Sequence, residues 1–375
     1  MEISGSNPYD QSFDTMPTYL SGSDTEDDEP PLRRNFTVSA FDSDYLQNIP
    51  PRVNELGKKK LKRAREDFEC IYDIPLIEET KRFTSPFHLD TTSCSEQGKR
   101  PSMEDCHLDL CSQYGRFIAV FDGHGTFSKR KAKQGKDQNG LVIAKKAAQS
   151  AKNHLINCFR DYNFEPKGAF NAWAKKTHES LPFKNAGTTA AIAFIEKVSG
   201  ILHVASIGDT NIVVLREDQG YIYAIPMSPI VNWETPKCVE KVRKILTKEE
   251  FEKWQQLQGK QRRFGGLNVA ASLGDAYATE HGKCAITRTP VCSQLQLRPT
   301  DRILCACDGL FDFVPLPEIE ELFANYWNEP NTNFAELAVD LALKKNSTDN
   351  VTVVVATMIE GREPENDLSS TVILE

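Results

Sequence analysis

No C-x-x-C pair and no even bracketing organises the ten cysteines of this sequence, so they supply neither a zinc-site spacing nor a disulfide framework. They read as reduced thiols of a cytoplasmic or nuclear chain. The opening residues, MEISGSNPYDQSFD, lack a basic segment followed by an apolar one, and the longest apolar stretch, VTVVVATMI at 351–359, is far short of the ~20 residues that span a bilayer. Neither secretion nor a membrane partner is expected. Excess positive charge is missing as well. A formal net charge of -8 gives no global attraction to phosphate backbones, which excludes nucleic-acid binding through one dominant basic face. Neither G-x-G-x-x-G nor G-x-x-x-x-G-K-[ST] occurs, which leaves a kinase without its phosphate loop. There is no internal repeat.

What is present divides into three parts. Residues 1–85 are rich in Ser, Asp, Glu, Pro and Lys without sustained hydrophobic period, a composition that buries too little surface to offset chain entropy. This segment is expected to be a mostly disordered tail. It carries an acidic patch, SGSDTEDDEP, and a basic cluster, GKKKLKRAR, whose alternatives are a solvated run or a nuclear-import signal. From residue 86 to 360 the pattern is that of a folded domain, and 361–375 reads as a short C-terminal tail. RFIAVF runs into DGHG, with His124 expected in a turn. GTTAAIAFIEKVSGILHVASIGDTNIVVL holds three β-rich runs separated by VSG and GDT, expected to form an antiparallel meander. DRILCACD and DNVTVVVATMI add two strands, each meeting an aspartate at one end. Cys305 and Cys307, two apart, are expected to share one buried strand face.

Helices lie between these strands. Leu141, Ala144, Ala148, Ala151, Leu155 and Cys158 follow the three-and-four spacing of one buried face, as do Phe334, Leu337, Ala338 and Leu341. Thr247 to Glu250 is a capping-box pattern opening a helix with Phe251, Trp254 and Leu257. Strand clusters interrupted by helices, without βαβ alternation, predict an α+β fold.

The stretch CSEQGKRPSMED, residues 94–105, admits two incompatible phosphatase sites. Cys94 and Arg100 have the Cys-x5-Arg spacing of a thiolate nucleophile with its phosphate-binding guanidinium. Pro101 pushes Arg100 toward extended backbone, however, and the TTSC before it is a weak strand end. The second reading uses Glu104 and Asp105 as hard oxygen ligands for Mg²⁺ or Mn²⁺, which take carboxylates, carbonyls and waters. Further acids stand at strand ends: Asp122, Asp308, Asp312 and Asp349. Singly, each is most often a turn or cap residue; together they suit a metal centre.

In their order, QGKRPSMEDCH, FDGHG, GTTA, ASIGDTN, FGGLNVAASLGD, ILCACDGLFDFV and STDNVTVVV resemble the metal-dependent Ser/Thr phosphatases of protein phosphatase type 2C, over about residues 97–357. The resemblance implies a four-layer sandwich of two central antiparallel β-sheets flanked by α-helices, with two Mg²⁺ or Mn²⁺ ions per site and a weaker third in some members. It implies that Asp122 bridges the two metals, that Gly123 offers its carbonyl, and that Glu104, Asp105, Asp308 and Asp349 complete the ligands. Asp209 would join Asp308 at the third ion. Arg100 would grip the substrate phosphate and His124 would protonate the departing Ser or Thr oxygen. Phosphoserine and phosphothreonine proteins would be the substrates, and the chain is expected to be a monomer. The flanking Gly187, Thr188 and Thr189 keep a turn-forming reading, as does Asp275, with a supporting place beside the site as its alternative. His107 is expected to be structural.

Three departures stand out. The glycine usual after FDGHG is replaced by Thr126 and a basic insertion, an Asp-His after the meander by MSPIVNWETP, and a Ser-Arg before the late Gly-Asp by Ala-Ser in NVAASLGD. These motivate a second reading, a catalytically silent relative serving as a binding scaffold. An aspartyl phosphotransferase would want Asp-x-Asp, which CDGLFD does not provide. Lys129, Arg130, Lys131, Lys133 and Lys136 of the insertion form either a solvated loop or a recruiting surface for acidic substrates. In the second case, neutralising all five raises KM for an acidic phosphopeptide more than for a small aryl phosphate; equal effects on the two substrates identify a solvated loop.

Overall fold

The computed structural model describes residues 87–125, 139–182 and 185–361. The expected tail at 1–85 with its acidic and basic patches, the insertion at 126–138 and the C-terminal segment from 362 lie outside the described residues.

Among the described residues the strands form two antiparallel sheets. They are β1 (Phe87–Glu96), β2 (Asp105–Ser112), β3 (Gly115–Gly125), β4 (Ala186–Thr188), β5 (Ala190–Glu196), β6 (Ile201–Ile207), β7 (Asn211–Asp218), β8 (Tyr221–Pro226), β9 (Leu273–Gly274), β10 (Val291–Gln296), β11 (Arg302–Ala306) and β12 (Val351–Glu360). One sheet runs β1-β12-β11-β7-β8; the other runs β10-β6-β5-β3-β4-β9, with β2 on β3. Helices α1 (Asn139–Asp161) and α2 (Pro166–Ser180) lie before β4, and α3 (Pro236–Arg243) and α4 (Lys248–Gln255) follow β8. The short α5 (Asp308–Phe311) then precedes α6 (Leu316–Tyr326) and α7 (Phe334–Lys344).

Successive strand residues point to opposite faces, and the sequence exploits this by making both faces apolar. In β3, Phe117, Ala119 and Phe121 join a core with α1 and α2, while Ile118 and Val120 face the other sheet. In β12, Val354 and Ala356 meet that same inter-sheet core, while Val353 and Val355 pack with Ile319, Phe323 and Ala338 of α6 and α7. Three apolar cores therefore separate four layers, helix, sheet, sheet, helix, in agreement with the expected α+β sandwich. Arg216 of β7 links the sheets: it forms a bidentate pair with buried Asp301, at 2.9 and 2.7 Å, and donates to the carbonyl of Gln296 in β10 at 3.0 Å.

Several local expectations change. The three runs of 187–215 do not form one meander: β5 pairs with β6, but β7 pairs with β8 and β11 in the other sheet. The crossing is made at Gly208, whose φ of +100° favours glycine. His124 is not in a turn but inside β3, opposite Gly187. TTSC is not a strand end but the middle of β1, where Cys94 faces Val353. Cys307 falls just past β11, although both it and Cys305 are buried in the inter-sheet core. On α1 the buried stripe passes through Ile143, Ala147 and Phe159, with Leu141 only half-buried. On α7 it passes through Ala335, Val339 and Ala342, so Leu337 and Leu341 flank the stripe. The capping box at Thr247 and Glu250 forms as expected, but Leu257 lies beyond the end of α4 and is exposed.

The free edge at β8 is met by a half-buried acid. Glu320 of α6 accepts the Ala224 N–H at 2.8 Å, and burial pushes its carboxyl from 4.5 up to about 7. The folded state thus holds the proton more tightly than the unfolded chain. Its stabilisation is fully present below about pH 4.5 and is lost as the pH rises through about 7. Glu320→Gln keeps an acceptor for Ala224 without the charge, and is expected to stabilise the protein by about 1–3 kcal/mol at pH 8 and little at pH 4. Thermal melts across this range check it; parallel profiles for the two proteins would rule it out.

Candidate active site

The acids identified in the sequence come from separate elements and arrive at one end of the sandwich. Asp105 opens β2 directly opposite Asp122 in β3. Asp308 follows the end of β11, Asp349 precedes β12, and those two strands are hydrogen-bonded neighbours. Asp209 occupies the corner where the chain leaves β6 of one sheet for β7 of the other.

Their electrostatics record this convergence. Burial raises the Asp105 carboxyl to about 7 and Asp308 and Asp349 add repulsion, against a downward pull from the bordering Thr352 hydroxyl and Cys307 thiol. Burial also holds Asp122 well above the usual range, reinforced by Asp105, Asp308, Asp209 and Asp349. Asp209 reaches about 7, through burial first and Asp308 second. Neither oxygen of Asp105 has a partner at hydrogen-bond geometry, nor does Oδ1 of Asp209. Buried carboxylates left without donors and crowded by like charge are suited to a divalent cation, which supplies the missing counter-charge. Among the described residues no three His, Cys, Asp or Glu side chains converge closely enough to chelate an ion as they stand. The chemistry of the donor set fits such ions.

The backbone around Asp122 is fixed from several sides. Its carbonyl accepts the Thr189 N–H at 2.9 Å and the Thr188 hydroxyl at 3.0 Å. The Gly-Thr-Thr segment is therefore more than a turn, since it clamps the residue carrying the central carboxylate. Gly123 donates to the Glu104 carbonyl at 3.2 Å, and a Cβ at 123 would collide with the carbonyls of Glu104 and Gly140. Glycine is required there by close approach of α1 and the 104 backbone.

Arg100 and Asp349, given separate roles from the sequence, pair with each other. The guanidinium donates to Asp349 Oδ2 at 2.5 Å, while Asp349 Oδ1 accepts the Asn350 N–H at 2.8 Å. Burial opposes the Arg100 charge, but Asp349 outweighs it and Asp122 and Asp308 add to the effect. The Arg100 side chain remains 40% exposed, open to a substrate. Cys94, by contrast, has its thiol pushed up by burial and by Glu96, Glu336 and Asp340, the opposite of an activated nucleophile.

One contributor was missed in the sequence. Asn350 is buried, and its amide accepts the Glu104 N–H at 2.9 Å while donating to the carbonyls of Gln97 at 2.8 Å and Ser102 at 3.0 Å. One side chain thus ties the loop carrying Arg100 and Glu104 to the start of β12. The only signal was an amide beside an aspartate at the head of an apolar strand. Asp275 combines the two readings the sequence allowed, turn former and support beside the site. Its φ of +52° suits a turn, yet its carboxylate meets His124 Nε2 at 2.7 Å and also accepts the Ser272 hydroxyl. Burial would lower the His124 pKa; the charge and hydrogen bond of Asp275 raise it.

The chain matches the family model described as "Protein phosphatase 2C" over residues 89–351. It is similar to "Probable protein phosphatase 2C 27" of Arabidopsis thaliana, 28% identical over 384 residues, covering 92% of this chain and 89% of the relative. It is also similar to "Protein phosphatase 2C homolog 1" of Schizosaccharomyces pombe, 28% identical, covering 69% and 70%. Among solved structures, a C. elegans sex determining protein superimposes with a TM-score of 0.56 at 20% identity, covering 80% of this chain and 72% of that one. That last likeness concerns the fold alone.

Asn350→Ala removes three side-chain hydrogen bonds and leaves the Glu104 N–H without its partner, so it should destabilise the protein by about 2–4 kcal/mol. Denaturant unfolding checks this, and a change under about 0.5 kcal/mol would show that the loop is held by other means.

Proposed function

The chain belongs to the protein phosphatase 2C family and is a metal-dependent protein Ser/Thr phosphatase; from this we propose that phosphoserine and phosphothreonine are hydrolysed at a binuclear centre built on Asp122, Asp105, Asp308 and Asp349. The single observation carrying the reading is the buried Asp105 carboxylate, neither oxygen of which has a partner at hydrogen-bond geometry, opposite Asp122 and repelled by Asp308 and Asp349. Glu104 and the Gly123 carbonyl would complete the ligands, and Asp209 and Asp308 would serve a weaker third ion. The family works with Mg²⁺ or Mn²⁺; when bound, such ions supply Lewis-acid charge for the phosphoryl oxygens and an activated water.

The residues of the chain do the rest. Arg100, exchanging Asp349 for substrate, presents its planar fork of donors to the phosphoryl oxygens. The P–O bond to the seryl or threonyl oxygen breaks with its electron pair moving to that oxygen, a strongly basic leaving group. His124 donates a proton there. With 23% of its side chain exposed, the imidazole is accessible to a substrate oxygen. No covalent enzyme intermediate is needed, in keeping with the raised pKa of Cys94. The scaffold reading is not favoured, because a binding surface has no use for this set of mutually repelling acids. Cysteine usage and the basic cluster at 57–65 support a cytoplasmic or nuclear setting.

Hydrolysis of a phosphothreonine peptide by wild type, Asp308→Ala and Cys94→Ser, with excess Mn²⁺ and then chelator, tests the reading. Chelation should abolish activity, Asp308→Ala should lower kcat/KM by about 100-fold or more, and Cys94→Ser should stay within about twofold. A chelator-resistant enzyme killed by Cys94→Ser would overturn the metal mechanism. Absence of both activity and calorimetric Mn²⁺ binding would return the scaffold to the lead.

A further inference from the structure

We propose that Asp275 is a positioning residue for leaving-group protonation, holding the His124 ring through Nε2 so that Nδ1 is the nitrogen serving the departing oxygen. The proposal rests on the reading of His124 as the proton donor.

A carboxylate can only accept, so the 2.7 Å contact between Asp275 Oδ2 and His124 Nε2 places a hydrogen on Nε2. That nitrogen is committed, and the proton transferred to substrate must leave from Nδ1. Holding an imidazole by one nitrogen fixes both its tautomer and its ring plane.

Asp275 is itself held in a way that makes it a firm anchor. Its side chain is 2% exposed and accepts a second hydrogen bond, from the Ser272 hydroxyl. Its N–H donates to the Ala186 carbonyl at 3.0 Å and its own carbonyl accepts the Ala278 N–H at 3.0 Å. The preceding Gly274 donates to His178 Nδ1 at 3.1 Å and pairs with Gly187. Geometry on the far side points the same way. Gly187 stands opposite His124 in β4, between the strand of the histidine and the short strand leading to Asp275. A Cβ on Gly187 would collide with both Asp275 Oδ2 and His124 Nε2. The contact thus passes through a gap that only a glycine leaves open. A pair serving stability alone has no need of an imidazole that stays partly exposed one residue from Gly123 and two from Asp122.

The test compares a phosphothreonine peptide, whose leaving oxygen needs a proton, with p-nitrophenyl phosphate, whose leaving group does not. His124→Ala should lower kcat on the peptide by about 100-fold and on the aryl ester by less than about threefold. Asp275→Gly removes the carboxylate while tolerating the positive φ, and should reproduce this split with a loss of about 10–100-fold. Asp275→Asn, which accepts the same backbone and can turn its carbonyl to Nε2–H, should recover to within about fivefold of wild type. Long-range ¹H–¹⁵N spectra of the metal-free protein at pH 9 should show His124 as the Nε2–H tautomer, and a tautomer mixture in Asp275→Gly. Equal losses on both substrates in Asp275→Gly, or an unchanged tautomer, overturn the proposal while the His124 reading stands. If His124→Ala shows no split, the reading of His124 as the donor fails, and this proposal with it.

Discussion

Carboxylates that share a buried site repel one another through a medium that screens them poorly, and the parts of this molecule near one end of the sandwich hold them together against that repulsion. Asp122, Asp105 and Asp209 all have their pKa raised by burial and by the acids around them. Such a cluster cannot be placed by local structure, because a flexible loop would let the charges drift apart toward water. Here the acids stand at the ends of strands whose other residues are locked in three apolar cores. The free energy of those cores is what keeps like charges close, and a positive charge placed among them would relieve the repulsion.

The holding is also local. The Asp122 carbonyl is taken by Thr188 and Thr189, and the Asn350 amide joins the 97–104 segment to β12. Arg100 on Asp349 brings a charge of opposite sign to these carboxylates and keeps 40% of its side chain exposed. On the other flank, His124 and Asp275 meet through the space left by Gly187. The converging carboxylates, the partly exposed guanidinium and the imidazole anchored by a carboxylate are each supported by a different piece of backbone.

Much of the site could be read in the sequence because its acids sit at strand ends, where β-rich runs meet aspartates in QGKRPSMED, FDGHG, CDGLFD and TDN. The layers were legible for the same reason, since strands apolar on both faces must be covered on both. Strand pairing was less so. The three runs after Gly187 look alike, and nothing in their composition says that the third belongs to the other sheet. Helix faces were recovered only to within a rotation, because Leu141, Leu337 and Leu341 fit an apolar stripe whose centre is set by the neighbouring sheet.

The sequence by itself determined the types of donor and their order along the chain, while the burial and distant acids that leave the Cys94 thiol unactivated came with the fold. Donor types and order follow from residue identity and short spacing. Only the tertiary structure decided who touches whom. Arg100 and Asp349 lie far apart in sequence, as do His124 and Asp275, and Asn350 and Glu104. Contacts of that kind arise from sheet register and from gaps such as the one at Gly187, both set by packing of whole layers, and a local pattern of residues carries no record of them.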